Sequence, residues 1–323
     1  MGSWLLRRGA QAVATFVIAV TLLFFLMRLA PGDPLWRVQE NESLTPEARV
    51  VLERMYGIDR PLPEQFATFL RGVTRGDLGS SIGYGLPVTT LIAARLPATL
   101  LLGGTVLLLN FTLGIWLGVR QAVRRGRAED HVLSLLSLAC YATPSFWLGL
   151  MLAWLFAIEW RVLPSGGLTN PLLDPAAGVP ARMTDVFAHL ILPAVTLSIV
   201  TIAATMRYQR AAMLEVLRLP YIVTARAKGL PESRVTGRHA WRNALFPVIT
   251  IFGLWLPILV TGSVFVEEVF AWPGLGSLAA GAATARDYPL LMGASLLAAA
   301  LVVLGSLLTD AAYAILDPRV RPS

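Results

Sequence analysis

The chain is nearly devoid of lysine and poor in charge of either sign. Lys228 is the only lysine in 323 residues, and Gly229 follows it. A phosphate-binding Gly-x-x-x-x-Gly-Lys-Ser/Thr loop therefore cannot form, which excludes ATP hydrolysis by that route. Cysteine occurs once, at Cys140. That excludes an intramolecular disulfide and a cysteine metal cluster, and inside its apolar run Cys140 reads as a small buried hydrophobe. His131, His189 and His239 are far apart in sequence, with no helical-spaced partner for a shared metal. No zinc-protease motif and no Gly-x-Ser-x-Gly elbow occurs. The expectation is a non-catalytic chain that binds no cofactor itself.

Charged residues make up 15% of the chain and hydrophobic ones 55%, whereas soluble domains carry about a quarter charged. The charges are also clustered. None falls in 96–119, 132–158, 243–266 or 288–309, and each window meets the roughly 20 apolar residues needed to cross a hydrocarbon core. With no polar face, these runs do not suit a soluble core helix. The apolar run from Gly9 to Met27 is long for a signal-peptide core and ends in Arg28-Leu-Ala-Pro, so it reads as a retained first helix. Six spans are predicted, at 9–29, 97–119, 132–158, 187–206, 244–266 and 289–315. Pro144, Pro193 and Pro257 lie within them and predict kinks or unwound turns.

Most of the 27 basic residues fall on one side of this topology: Arg7 and Arg8, the loop 120–127, the loop 207–243, and Arg319 and Arg321. Both termini are therefore expected in the cytoplasm. The net charge of +7 is explained by this asymmetry, without nucleic acid. Arg207, Arg210 and Arg218 read as anchors near anionic lipid. Segment 31–96 is external, with a helical patch at Thr45–Tyr56 that begins with a cap-like Thr45-Pro-Glu-Ala. In the loop 207–243, Tyr221–Gly229 can form a short helix ended by Gly229. Asn110 reads as polar glue between helices and Gly114-Ile-Trp-Leu-Gly118 as a close-packing face. The spans hold almost no ionisable group to bind a coupling ion, and Asp310 sits at the end of the last one. The chain thus resembles a passage driven by another subunit, although a channel also fits.

The stretches Tyr221-Ile-Val-Thr-Ala-Arg-Ala-Lys-Gly-Leu230 and His239-Ala-Trp-Arg-Asn-Ala-Leu-Phe-Pro-Val-Ile-Thr250 resemble the EAA-type loop of ABC importer permeases. The similarity is to the first (B-type) permease subunit of the dipeptide/oligopeptide/nickel, binding-protein-dependent branch. It extends to Met27–Pro34, Gly76-Asp-Leu-Gly-Ser80, Pro144-Ser-Phe-Trp-Leu-Gly149, Leu163-Pro-Ser-Gly-Gly167, Leu190–Ala194, Glu268–Gly276 and Arg286-Asp-Tyr-Pro289. Val223-Thr-Ala225 stands where Glu-Ala-Ala would be, and Arg242 occupies a usual proline position.

The resemblance implies an all-α membrane protein with the six-helix type I importer fold. It implies an N-terminal segment 1–30, a periplasmic segment 31–96 and a core 97–323 carrying a cytoplasmic coupling helix between the fourth and fifth helices. Tyr221, Thr224, Ala225, Arg226, Ala227, Lys228, Gly229 and Leu230 would contact an ATPase. Two ATP-binding subunits (which carry the ATP and Mg), a second homologous permease and a periplasmic substrate-binding protein are the implied partners. The location implied is the bacterial inner membrane. Cargo would be peptides, with nickel chelates, glutathione or oligosaccharides as alternatives, and an autonomous channel or ion-coupled carrier as the rival class. Glu40, Glu42, Glu47 and Glu53 would steer the binding protein or form a solvated face. Glu267 and Glu268, at the outer mouth, would meet a peptide amine or cation, or form a structural pair. Trp272-Pro-Gly would plug that mouth.

Overall fold

A backbone in lipid must satisfy its own hydrogen bonds, which makes helix the solution for apolar runs of this length. The computed structural model describes residues 2–29, 45–174, 176–255 and 264–316. Among the described residues all the regular elements are helical. α1 (Gly2–Leu29) is followed by the short α2 (Pro46–Met55) and α3 (Leu62–Arg75). Then come α4 (Val88–Val123), α5 (Ala128–Ala142), α6 (Ser145–Ala153), a π-helical turn at Trp154–Glu159, and α7 (Val179–Val216). Next are α8 (Pro220–Ala227), α9 (Glu232–Arg234), a second π-helical turn at Val235–Ala240, and α10 (Trp241–Ala244). α11 (Phe246–Trp255), α12 (Val264–Val269), α13 (Leu275–Thr284) and α14 (Tyr288–Leu316) complete the chain.

Among the described residues, four helices are long and apolar enough to cross a membrane: α1, α4, α7 and α14. The α5–α6 pair passes the same test as a unit, bent by 97°. The bend falls where Pro144 was expected to break the span. No unwound turn occurs at Pro193, which lies inside the continuous α7. Its neighbours Leu192 and Ala194 are buried, so packing on both sides holds the helix despite the missing N–H. The third proline, Pro257, lies outside the described residues, as do Glu40, Glu42, Arg319 and Arg321.

The second span proves longer than predicted. α4 has 36 residues and runs through Pro97, because a charge-free window measures lipid thickness and not helix length. At 1.5 Å per residue, α4 and α7 are each about 55 Å long, so they project beyond a hydrocarbon core about 30 Å thick. They pack parallel, in one register along their whole length. Ala98, Leu102 and Val106 meet Leu190 and Ala194 at one end, and Ala122 meets Ala212 and Met213 at the other. In the middle, a Cβ on Gly114 would lie 2.9 Å from Thr205 Cβ, and one on Gly118 would lie 2.6 Å from the Met206 carbonyl. The two glycines are what lets the backbones approach, as the close-packing reading expected. The Asn110 side chain, read as interhelical glue, is fully buried, and neither of its polar atoms has a partner among the described residues.

Parallel neighbours require the intervening chain to travel back. It does so along α7. Asp130 at the start of α5 holds Arg210 in a two-bond pair at 2.9 and 3.0 Å. Gly149 in α6 abuts Thr196, and the Asn170 N–H donates to Asp185 at 2.7 Å. From Arg210 to Asp185 is about 37 Å of helix, a full membrane thickness. Arg210, expected as an anchor near lipid, is thus a structural clamp between α5 and α7. Cys140, expected buried, is half-buried on α5. α1 packs against α14, with Arg8 paired to Asp310 at 3.3 Å, which puts the start of α1 and the end of α14 at one level.

Candidate functional site

Two assemblies at opposite ends of the α4–α7 pair contain the residues singled out in the sequence. At the Val216 end, α8 begins with Pro220 in its first turn, where a missing N–H costs nothing. It ends in a Schellman turn. The Leu230 N–H bonds to the Ala225 carbonyl, the Gly229 N–H bonds to the Arg226 carbonyl, and Gly229 adopts φ +73°. Only glycine takes that conformation without strain.

One face of α8 is buried. Ile222 and Ala225, one turn apart, join Ala122, Met213, Val216, Val235, Ala240 and Ala244 in an apolar cluster, with Leu230 packed against it. Tyr221, Thr224, Arg226, Ala227, Lys228 and Gly229 are exposed. Of the eight residues expected to contact an ATPase, Ala225 and Leu230 thus point inward as anchors. Val223, overlooked in the sequence, is 57% exposed and belongs to the outward face. Its β-branched side chain between two buried positions was the available signal. Two exposed side chains are held in place: the Tyr221 hydroxyl accepts from Asn243 at 2.7 Å, and Arg226 forks onto Glu232 at 2.6 and 3.1 Å. That guanidinium holds the Glu232 carboxyl below its usual range.

At the opposite end, the chain after α12 turns back to form α13. Trp272 is 1% exposed, and its Nε1 donates to the Ala98 carbonyl of α4 at 3.0 Å. The first N–H groups of α13 are satisfied from outside the helix: Leu275 donates to Thr99 Oγ1 at 2.8 Å and Ser277 to Glu267 Oε2 at 2.7 Å. A buried carboxylate at a helix N-terminus is favoured by both the free donors and the helix dipole. A Cβ on Gly274 would overlap that carboxylate, so glycine is required there. Glu267 is fully buried while its neighbour Glu268 is exposed, so the two side chains lie in different surroundings. Gly167 joins this end by donating to the Phe270 carbonyl at 2.7 Å.

Asp287, which the sequence offered only as one residue of a motif, organises the remainder. It is 1% exposed, caps α14 through the Leu290 N–H at 3.2 Å, and accepts from Ser81 Oγ and from the Gly83 N–H at 2.9 Å. The turn that follows Gly76–Ser80 is thereby joined to the stretch Arg286–Pro289. In α2, Thr45 caps the helix as expected through the Ala48 N–H. Glu53 is engaged by Arg49 at 2.8 Å, and Glu47 is exposed.

The chain has close relatives among known proteins along its full length. Residues 110–322 match the family model of the binding-protein-dependent transport system inner membrane component, and residues 1–103 match the model of the N-terminal region of such membrane components. The dipeptide transport system permease protein DppB of Escherichia coli K12 is 38% identical, over 99% of this chain and 99% of its own. The oligopeptide transport system permease protein AppB of Bacillus subtilis is 39% identical, over 99% and 100%. A di/tripeptide transport system permease of Pseudomonas aeruginosa is 37% identical, over 99% of each chain. A multi-pass membrane protein matched in both its N-terminal and its C-terminal regions, the chain belongs to the family of binding-protein-dependent transport system inner membrane components.

Proposed function

We propose that this chain is the permease subunit of an ATP-driven peptide importer, forming half of a translocation pathway that works by alternating access. The observation that carries the reading is α8. It is anchored to the projecting ends of α4 and α7 by inward Ile222 and Ala225, while Tyr221, Val223, Thr224, Arg226, Ala227 and Lys228 face outward. A helix fixed on one side and open on the other acts as a lever: force applied to the outward face reaches two membrane-length helices through the cluster beneath. ATP and Mg belong to partner subunits in this reading, and the chain itself binds no cofactor.

Six crossings fit the geometry. Beyond the four long helices and the bent pair, the chain from 244 to 266 starts in the cluster with Met213 and Val216 and ends beside Leu192. That separation is about 32 Å along α7. The side holding α8, Arg8 and Asp310 is taken as cytoplasmic from its arginines. The side holding α2, α3, Trp272 and α13 is then external and faces a substrate-binding protein. Segments 1–30, 31–96 and 97–323 serve as the division of the chain, with the fourth crossing's partner helix α4 reaching back to Val88. A second homologous permease and two ATP-binding subunits complete the assembly. Peptide is chosen as cargo because the relatives named above are peptide permeases along their full length.

Reconstitution tests this. The complete complex in proteoliposomes should accumulate a labelled dipeptide only with ATP and binding protein present. In a Cys140→Ser background, Thr224→Cys should form a disulfide or bifunctional crosslink to an ATPase subunit. Uptake by this chain alone, or a crosslink only to the binding protein, would overturn the proposal.

A further inference from the structure

A cavity of about 440 Å³ lies at the external end of the bundle, bounded by the last turns of α1, by α2 and α3, by residues 77–80 and by the start of α14. Neither Trp272 nor Glu267 lines it, and α1, which contributes to its wall, packs on α14. Its lining is unusually cationic for a lipid-level site. Arg28 reaches it from α1, and Arg54 and Arg60 reach it from α2 and the turn after it. None of the three forms an ion pair among the described residues, and Asp77 is the one acidic side chain in the described wall. Asp77 is already occupied as acceptor for the Gly79 N–H at 2.9 Å.

Among the described residues, two buried polar atoms at the cavity have no partner: Arg28 Nε, a donor, and Gln65 Oε1, an acceptor. Gln65 is immobilised by its other end, since its Nε2 donates to the Ile58 and Arg60 carbonyls at 3.2 and 2.7 Å. Arg28 has the Phe24 ring beneath it at 5.8 Å. A buried donor and a buried acceptor left open in the same cavity cost free energy unless something fills both. An occupant must therefore offer an anion to the guanidinium groups and a hydroxyl to Gln65.

We propose that this cavity is a binding site for a phosphate-class anion bearing a hydroxyl, with phosphatidylglycerol of the outer leaflet as the source its position favours. Arg28 meets the phosphodiester in a partly desolvated setting, where the charge-assisted bond is strong. Arg54 and Arg60, exposed at the rim, draw the anion in. The headgroup hydroxyl donates to Gln65 Oε1. Such a ligand would tie α1 and the α2–α3 cap to α14 at the lipid boundary. The choice of the outer leaflet rests on the orientation taken above, whereas anion binding itself needs only that the chain spans a membrane, so a failed importer reading leaves the site testable.

The test uses the purified complex in nanodiscs of mixed phosphatidylglycerol and phosphatidylcholine, with lipids retained on the protein counted by native mass spectrometry. The wild type should retain phosphatidylglycerol above its share of the disc, and each of Arg54→Gln and Arg60→Gln should lower that enrichment about fivefold. Arg28→Gln should abolish it, and Arg28→Lys should restore some of it. In neutral detergent, inorganic phosphate at constant ionic strength should raise the thermal midpoint if free phosphate is the natural source. That rise without lipid enrichment would reassign the ligand within the same site. Equal enrichment in wild type and the Arg28→Gln/Arg54→Gln/Arg60→Gln variant, with no phosphate response, would overturn the proposal. Gel filtration and circular dichroism of each variant separate loss of ligand from loss of fold.

Discussion

Both ends of the α4–α7 pair hold their attached segments on apolar clusters, but the outer end adds a set of buried hydrogen bonds from the segment to α4 and α12. At the inner end, α8 is fixed by an apolar cluster around Ile222, Ala225 and Met213. At the outer end, the turn into α13 is also fixed by directional hydrogen bonds from Trp272, Leu275 and Ser277 to Ala98, Thr99 and Glu267. Apolar contact is non-directional and tolerates small rotations without a step in energy. Buried hydrogen bonds are made or broken, and a broken one is expensive. Under the proposed function, the inner end carries an applied force through packed side chains, and the outer end holds one position until its hydrogen bonds break. A transporter that is pushed from one side and gated on the other needs that asymmetry.

The contrast breaks most clearly at Ile222. Truncation to alanine at this fully buried position should cost about 3 kcal/mol, transfer and cavity terms together. Because the loss sits under α8, the complex should still hydrolyse ATP while peptide uptake falls steeply. Hydrolysis and uptake falling in proportion would mean that the cluster supports the fold and does not carry force. Next in size is Glu267→Ala, which strips the buried acceptor of the Ser277 N–H from the start of α13 and should lower stability by about 2 kcal/mol. Its signature differs: a leaky outer side, read as ATP-independent efflux of preloaded dipeptide. Glu267→Gln, which keeps an oxygen for the Ser277 N–H, should leak less. An alanine variant as tight as wild type would remove the gate from the comparison.

The inner end was largely legible in the sequence and the outer end was not. α8 is a local structure, and Pro220 and Gly229 mark its ends within ten residues, so its boundaries could be read directly. The inward turn of Ala225 and Leu230 could not, since an eight-residue helix with mixed composition has no strong apolar stripe. Glu267 looked like a pathway carboxylate because its partner, the α13 N-terminus, adjoins it only after the chain reverses at Trp272. Asp287 was invisible for the same reason: its hydrogen-bond partners Ser81 and Gly83 are some two hundred positions away. Long apolar spans were plain from composition, but their true ends were not. Arg95 stands before the charge-free window, yet α4 already includes it.

Gly229 tests whether the lever needs its turn as well as its anchor. A Cβ there would meet open space, so Gly229→Val acts through the left-handed backbone alone, at about 1–2 kcal/mol. Uptake should uncouple from hydrolysis, as with Ile222→Ala but less completely, while membrane insertion stays normal. Normal transport by Gly229→Val would displace the lever from 220–229.

The smallest effect belongs to the Arg226–Glu232 pair, which spans the same turn with both side chains roughly half exposed. Arg226 depresses the Glu232 carboxyl in the folded state. Such a group adds stability above its unfolded pKa, and the contribution fades as pH falls through the lower folded value. Water screens the pair, so its worth is at most about 0.5 kcal/mol. Glu232→Gln should therefore lower the thermal midpoint slightly at pH 7 and match wild type once the medium is acid enough to protonate the carboxyl. A large loss of coupling in this variant at neutral pH would show that the inner end, too, depends on a directional polar contact, and the division between the two ends would have to be redrawn.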